Sequence, residues 1–333
     1  MRPRIAILGA GSWGSALAVH LTRIGHDVRL WARDAALATE LVSAHQNARY
    51  LPGVVFPSAV LPTHSLSKAL AGAAMVVVTV PSHGMRAVVR NARSVIEAGS
   101  IVVSGVKGLE VGSMRRMSEV IGEELPGIES VVVLSGPSFA VELANELPTA
   151  IVVASSSASA MDRVQAEFRS SSLRLYGSSD VIGVEMGGAL KNIIAIAAGV
   201  VEGLGLGHNA MAALITRGLV EITRLAVSLG AQRDTLSGLA GLGDLVLTCT
   251  GELSRNRHVG IQLGLGRSLD DILSSSSMVA EGVRTTEAAL ALGAHHRIEL
   301  PIAEQMAEVL SGRKDPQSAI RDLMSRRQKQ ELA

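Results

Sequence analysis

Short runs of aliphatic and β-branched residues recur through the first 180 positions, separated by stretches with helical spacing. The runs are Ile5–Leu8, Val28–Trp31, Met75–Val80, Ile101–Ser104, Val131–Leu134, Ala150–Ala154 and Leu173–Tyr176. Each is apolar at odd and even positions alike, the pattern of strands covered on both faces. Between them lie segments such as Trp13–Ile24 and Met114–Glu124, whose apolar positions follow a helical period. Alternating strand and helix predicts an α/β fold with a parallel, doubly wound sheet. After Asp180 the texture changes. Glu185–Val201, Met211–Leu229, Ser254–Gly264, Thr285–Ala294 and Ile302–Leu310 all carry helical periodicity, and no comparable strand run follows. The expected organisation is a sheet domain over 1–180 and an all-helical domain over 181–333, joined between Gly177 and Glu185. The serine-rich stretches Ser155–Ser159 and Ser274–Ser277 read as loops.

Composition narrows the function classes. A chain of 333 residues is consistent with two domains at roughly 150 residues each. Lys and Arg total 31 against 30 Asp and Glu, so no global charge recruits nucleic acid or a membrane surface. Three Phe, two Trp and two Tyr are too few for base-stacking modules. The single cysteine, Cys249, excludes a disulfide framework and a cysteine-based metal centre. It sits among apolar neighbours and reads as core packing. The histidines show no ligand spacing, so no metal is expected. At the N-terminus Gly9 and Gly11 interrupt the apolar run too early for a signal segment. The longest apolar stretch of the second half, Ile193–Val201, falls short of the ~20 residues that span a bilayer. A cytoplasmic enzyme without an integral membrane segment is the expectation, and a homodimer is the assembly it admits. The basic run Arg326-Arg327-Gln328-Lys329 reads as a solvated helix end.

Gly9-Ala10-Gly11-Ser12-Trp13-Gly14 is a G-x-G-x-x-G sequence between the first strand and a helix rich in small residues. Gly9 permits the tight turn, Gly11 lets backbone approach a pyrophosphate, and Gly14 lets the helix pack close to the strand. A ligand-free glycine turn and an S-adenosylmethionine site are the competing readings. The position at a strand–helix junction, with a second strand following, favours a Rossmann-type dinucleotide site. The end of that second strand ordinarily carries an acid for the ribose of NAD, about 20 residues on. Arg33 stands there, followed by Asp34. A guanidinium suits a 2′-phosphate, so NADP is favoured, while Asp34 keeps NAD open.

Other strand ends are polar and punctuated: Pro81-Ser82-His83, Gly105-Val106-Lys107-Gly108 and Ser135-Gly136-Pro137-Ser138. In an open α/β sheet, ligands bind at these ends. Lys107, between two glycines, could polarise a carbonyl or neutralise a phosphate. Lys191 is the one charge between Glu185 and Glu202, with Gly187, Gly188 and Ala195 one turn away. Desolvation would lower its pKa and suit it to proton transfer. Ser254-Arg255-Asn256 opens an apolar helical stretch, so Ser254 reads as an N-cap and the three together as a phosphate site. Asp244, among glycines, could meet a substrate hydroxyl, hold Lys191 in place or cap a helix.

Taken together, GAGSWGSALA (9–18), NARYLPG (47–53), VPSHGMR (80–86), VKGLE (106–110), SGPSFA (135–140), GGALKN (187–192), GLGDLVLTC (241–249), SRNRHVG (254–260) and MVAEGVRT (278–285) resemble the bacterial NAD(P)-dependent glycerol-3-phosphate dehydrogenases. The resemblance implies reversible reduction of dihydroxyacetone phosphate by NAD(P)H to sn-glycerol 3-phosphate, the glycerophospholipid backbone. It implies cofactor contacts at Ser12, Trp13, Arg33, Tyr50, Lys107, Ala140, Arg255, Val279 and Glu281. Substrate contacts fall at Lys107, Gly136, Ser138, Lys191, Asp244, Ser254, Arg255 and Asn256, with Lys191 as proton donor and acceptor. The Cys249-Thr250-Gly251 segment departs from the family pattern, which often has serine there, and touches no assigned role. Two other readings compete: a dehydrogenase for another hydroxy acid such as ketopantoate, which has no need of the phosphate site, and a non-catalytic nucleotide sensor, which has no use for Lys191.

Overall fold

The computed structural model describes residues 2–128, 130–274, 280–328 and 330. Among the described residues ten strands are present: β1 Ile5–Leu8, β2 Val28–Trp31, β3 Gln46–Asn47, β4 Leu51–Val55, β5 Val60–Thr63, β6 Met75–Val78, β7 Ile101–Ser104, β8 Val131–Ser135, β9 Thr149–Ala154 and β10 Leu173–Ser178. Eight form one sheet in the order β10-β9-β8-β7-β6-β1-β2-β5, and β3 pairs with β4 in a small separate ribbon. β1, β6, β7 and β8 are buried almost throughout, as their unbroken β-branched runs require. Helices pack on both faces, which makes the N-terminal part a Rossmann-like sheet domain. The order of strands reverses between β1 and β6, and the carboxyl ends there open a crevice for a ligand.

Four features correct the sequence expectation. The sheet is not purely parallel: β8 and β9 run antiparallel, and β10 follows β9, so the last two strands point the other way. An apolar run carries no mark of direction, because burial is the same either way. β5 and the β3–β4 ribbon were not anticipated. β5 is an edge strand carrying Pro62 and paired on one side only, so it lacks a continuous apolar run. The helix expected from Met114 begins at Met117, because Met114 has φ 59° and Arg116 forms the N-cap. Ser159 lies inside helix Ala158–Phe168, which Ser157 caps. Ser274, also expected in a loop, closes helix Leu269–Ser274, and Ser275–Ser277 lie outside the described residues.

Beyond β10 the described chain is helical. Asp180 starts the long helix Val181–Gly203 by accepting from Gly183 N at 2.8 Å, while its second oxygen accepts from Gln232 N. The helix is buried without interruption from Gly183 to Val201, as an apolar pattern on all sides demands. It is long and apolar enough to cross a membrane, yet it is the central helix around which the others pack. Helix Arg255–Gly264 crosses it backbone to backbone. A Cβ on Gly260 would stand 1.9 Å from Ile196 O, and one on Gly199 2.0 Å from Arg257 O. That contact brings the start of the second helix beside Lys191.

Candidate active site

At the first crevice the glycine loop is held by backbone. Gly9 donates to Trp31 O at 3.0 Å and takes φ 124°, a conformation that favours glycine. A Cβ on Gly14 would stand 1.9 Å from Gly9 O, so helix Ser12–Arg23 can start this close only with glycine there. A Cβ on Gly11 would meet no protein atom within 4 Å. The loop is therefore tight against protein on one side and open on the other, a cradle that fits a pyrophosphate at a helix start. Ser12 and Trp13 begin that helix, and the Trp13 indole packs over Gly105 at the end of β7. Two residues that sequence reasoning did not single out brace the loop. Thr79 Oγ1 donates to Gly9 O at 3.0 Å. The buried Asn47 donates to Ala10 O at 2.9 Å and Ser15 Oγ at 2.8 Å, and accepts from Tyr50 N at 3.1 Å. Asn47 thus ties the loop to the segment carrying Tyr50, whose ring lies under Arg49. Arg33 is exposed just past β2. Asp34 caps helix Ala35–Ala44 through Ala36 N at 2.9 Å, so one of its oxygens already has a structural task. Ala140 opens the short helix Ala140–Ala144 beside the end of β8.

Deeper in the cleft, three charged side chains from both halves meet. Asp244 is fully buried at the first position of helix Asp244–Thr250. One of its oxygens accepts from Lys191 Nζ, and the other accepts from Lys107 Nζ at 2.6 Å. Lys191 also donates to Thr248 Oγ1 at 2.7 Å. Lys107 further donates to Gly136 O at 2.8 Å and Ser138 Oγ at 3.4 Å, at the end of β8. Thr248 lies one helical turn past Asp244, on the same face; that spacing was the available signal for it. Desolvation lowers the Lys191 pKa to about 8; the Asp244 carboxylate opposes this and the Lys107 charge adds to it. Asp244 therefore does not cap its helix; it holds Lys191. Cys249 is buried in the same layer, and burial pushes its thiol up to about 12, in keeping with packing rather than chemistry.

Two helix starts complete the cleft. Ser254 caps helix Arg255–Gly264, accepting from Arg257 N at 3.2 Å. Arg255 is exposed at that start, within reach of the Glu281 charge. Asn256 is buried, and both ends of its amide are engaged. It donates to Asn192 Oδ1 at 2.9 Å and accepts from Gly282 N at 3.0 Å. It acts as a strut between the Lys191 helix and helix Glu281–His296. Glu281 accepts from Ser82 N at 3.0 Å and Ser82 Oγ at 2.5 Å, linking the helical half to the loop after β6. Val279 lies outside the described residues. A second link joins the halves: Glu185 accepts from Arg116 Nη1 and Ser118 Oγ, both at 2.6 Å. Two roomy cavities of about 410 and 420 Å³ lie elsewhere, the first against β9 and β10 and the second against helices Gly207–Ser228 and Pro316–Ser325. Neither is lined by any of these residues. Among the described residues no group of His, Cys, Asp and Glu side chains could hold a metal ion.

Comparison with known proteins places the chain. Residues 4–161 match a family model for the N-terminus of NAD-dependent glycerol-3-phosphate dehydrogenase, and residues 180–321 match the model for its C-terminus. Curated relatives bearing the name glycerol-3-phosphate dehydrogenase [NAD(P)+] include one from Geobacter sp. (strain M21), 48% identical, and one from Citrifermentans bemidjiense, 49% identical. Each alignment covers 99% of both chains. The crystal structure of glycerol-3-phosphate dehydrogenase from Coxiella burnetii superposes with a TM-score of 0.95 at 41% identity, covering 98% of this chain and 99% of that one. A ketopantoate reductase from Ralstonia eutropha shares the fold at a TM-score of 0.61 and 15% identity.

Proposed function

The chain belongs to the NAD-dependent glycerol-3-phosphate dehydrogenase family, and from that premise we propose how its own residues carry the reaction. The enzyme reduces dihydroxyacetone phosphate to sn-glycerol 3-phosphate with NAD(P)H, reversibly, and so feeds glycerophospholipid synthesis. The observation that carries the residue assignment is the buried Lys191–Asp244–Lys107 cluster. When bound, the dinucleotide supplies the hydride that adds to C2 of the substrate. Lys191 Nζ gives its proton to the carbonyl oxygen as the alcohol forms, and takes one back in the reverse direction. A pKa near 8 leaves it protonated at neutral pH yet easily deprotonated.

Asp244 aims the Lys191 amine, assisted by the Thr248 hydroxyl. Two ammonium groups and one carboxylate leave the cluster cationic. That charge attracts a phosphate ester and stabilises alkoxide character as it develops. Lys107 serves through this field, while Gly136 and Ser138 hold it at the end of β8. Gly9, Gly11 and Gly14 cradle the pyrophosphate, with Ser12, Trp13, Tyr50, Ala140 and Glu281 completing the dinucleotide groove. Ser254, Arg255 and the free amide N–H of Asn256 take the substrate phosphate at the helix start. Arg33 favours NADP over NAD. The division at residues 180 and 181 separates the sheet domain that binds the dinucleotide from the helical domain that supplies Lys191 and Asp244. We further propose a cytoplasmic homodimer. Exposed Leu206 and Met324 give the helical half an apolar surface to bury, which sedimentation would test.

The test of the reading is NADPH oxidation by wild type and Arg255→Ala with dihydroxyacetone phosphate and with unphosphorylated dihydroxyacetone. The wild type should strongly prefer the phosphorylated substrate. Arg255→Ala should lower that preference by roughly tenfold or more at saturating NADPH, the worth of a charge-assisted contact. An unchanged ratio would move the phosphate site elsewhere, with Lys107 next to test.

A further inference from the structure

Three basic side chains converge at the rim of the dinucleotide groove, and only one of them has a role above. Arg33 lies two residues past β2, and His83 lies in the single-turn helix Ser82–Gly84 that follows β6. β2 and β6 flank β1, so their ends stand about 10 Å apart at the usual strand spacing. The third comes from the helical half. The Glu281–Ser82 hydrogen bonds press the first turn of helix Glu281–His296 against the Ser82–Gly84 turn. Arg284 is three residues beyond Glu281, on the same helix face.

All three side chains are exposed. The His83 imidazole is held below its ordinary value by desolvation first and then by the Arg284 charge; Glu281 opposes and Arg33 adds. Both arginines are therefore felt at one imidazole. Among the described residues no hydrogen bond or ion pair ties Arg33 or Arg284 to another side chain. The neighbouring carboxylate, Glu281, is already committed to Ser82. Two arginines against the single Glu281 carboxylate leave net positive charge here, and an anion placed among them offsets it. The groove beside them is the one that takes the dinucleotide, so the anion is at the adenosine end of it.

We propose that Arg284, with Arg33 and His83, binds the 2′-phosphate of NADP, so that the helical domain takes part in choosing between NADP and NAD. The proposal rests on the dehydrogenase reading above. It is tested by titrating wild type, Arg284→Ala, Arg284→Lys and Arg33→Ala with NADPH and NADH by cofactor fluorescence. Calorimetry with 2′,5′-ADP and 5′-AMP isolates the same phosphate without the nicotinamide. Arg284→Ala should weaken NADPH and 2′,5′-ADP about tenfold or more, and NADH and 5′-AMP by less than about twofold. Arg284→Lys should recover part of the loss, because the charge is kept. Equal losses for phosphorylated and unphosphorylated ligands, or no loss at all, would overturn the proposal. Failure of the wild type to oxidise NADPH with dihydroxyacetone phosphate would strike the dehydrogenase reading instead, and would leave the 2′,5′-ADP comparison standing.

Discussion

The glycine loop after β1 and the charged cluster around Asp244 are built on opposite principles. The loop works through backbone: positions 9, 11 and 14 lack side chains, and what braces them is a hydroxyl from Thr79 and an amide from Asn47. The cluster works through side chains whose charges are buried. Lys191 and Asp244 are 6% and 0% exposed, and each would be costly alone. A backbone cradle needs close approach and tolerates open solvent. A buried amine at pKa near 8 needs packed apolar walls, which the unbroken burial of helix Val181–Gly203 provides. Neither region can substitute for the other, and variants should separate them.

The largest effect should come from Lys191→Ala. Loss of a positioned acid should lower kcat by ~10²–10⁴-fold, while NADPH affinity, measured by fluorescence, stays near wild type. Retention of a tenth of the wild-type rate would remove Lys191 from proton transfer.

Asp244→Asn should come next, since it leaves two ammonium groups without their carboxylate. Breaking one side of a buried pair costs roughly 3–5 kcal/mol, to be read from the denaturant midpoint. The pH profile adds an independent reading. In the wild type, kcat/KM for reduction should fall as pH rises through about 8, because Lys191 must be protonated to act as the acid. Oxidation should rise over the same range. Asp244 opposes the lowering of the Lys191 pKa, so Asp244→Asn should move both limbs to lower pH. A limb that stays in place would mean another group titrates.

A paired glycine experiment compares the regions directly. Gly14→Ala and Gly260→Ala each put a Cβ 1.9 Å from a backbone oxygen, so each should cost on the order of 1–3 kcal/mol or more. Gly14→Ala should weaken both NADPH and NADH. Gly260→Ala should loosen the crossing beneath Lys191 and lower kcat with cofactor affinity retained. Identical profiles would dissolve the distinction. The smallest effect is expected from Asp34→Ala: about 1 kcal/mol of stability, as a lost helix cap, with NADH affinity unchanged. A large loss of NADH affinity would give its carboxylate to the ribose after all.

Legibility in the sequence followed the same divide. The Gly9–Gly14 loop could be read outright, because a backbone that must pass within contact of Gly9 O admits one residue type at position 14. Ser254 as a helix cap and the helix that follows were equally plain from local chemistry. Lys191 stood out as an isolated charge in an apolar helix. What stayed hidden was partnership. Asp244 had three open readings and Lys107 two, and only folding joined them to Lys191 through one carboxylate. Nor did the sequence show that Asn256 also braces its helix start against Asn192 and Gly282.

Residue pattern alone determined that strands alternate with helices through the first 180 positions and that helices follow, because burial on both faces or on all sides leaves a local mark in composition. It also determined the tight glycine loop after β1, because steric limits act between neighbours in the chain. The reversal of β9 and β10, the bracing of the loop by Asn47 and the shared carboxylate at Asp244 were decided by the tertiary structure. Each depends on groups far apart in sequence, such as 107 and 244 or 10 and 47. Hydrogen bonds and buried charges select such partners by distance and dielectric in the folded state, and no local run of residues records either quantity.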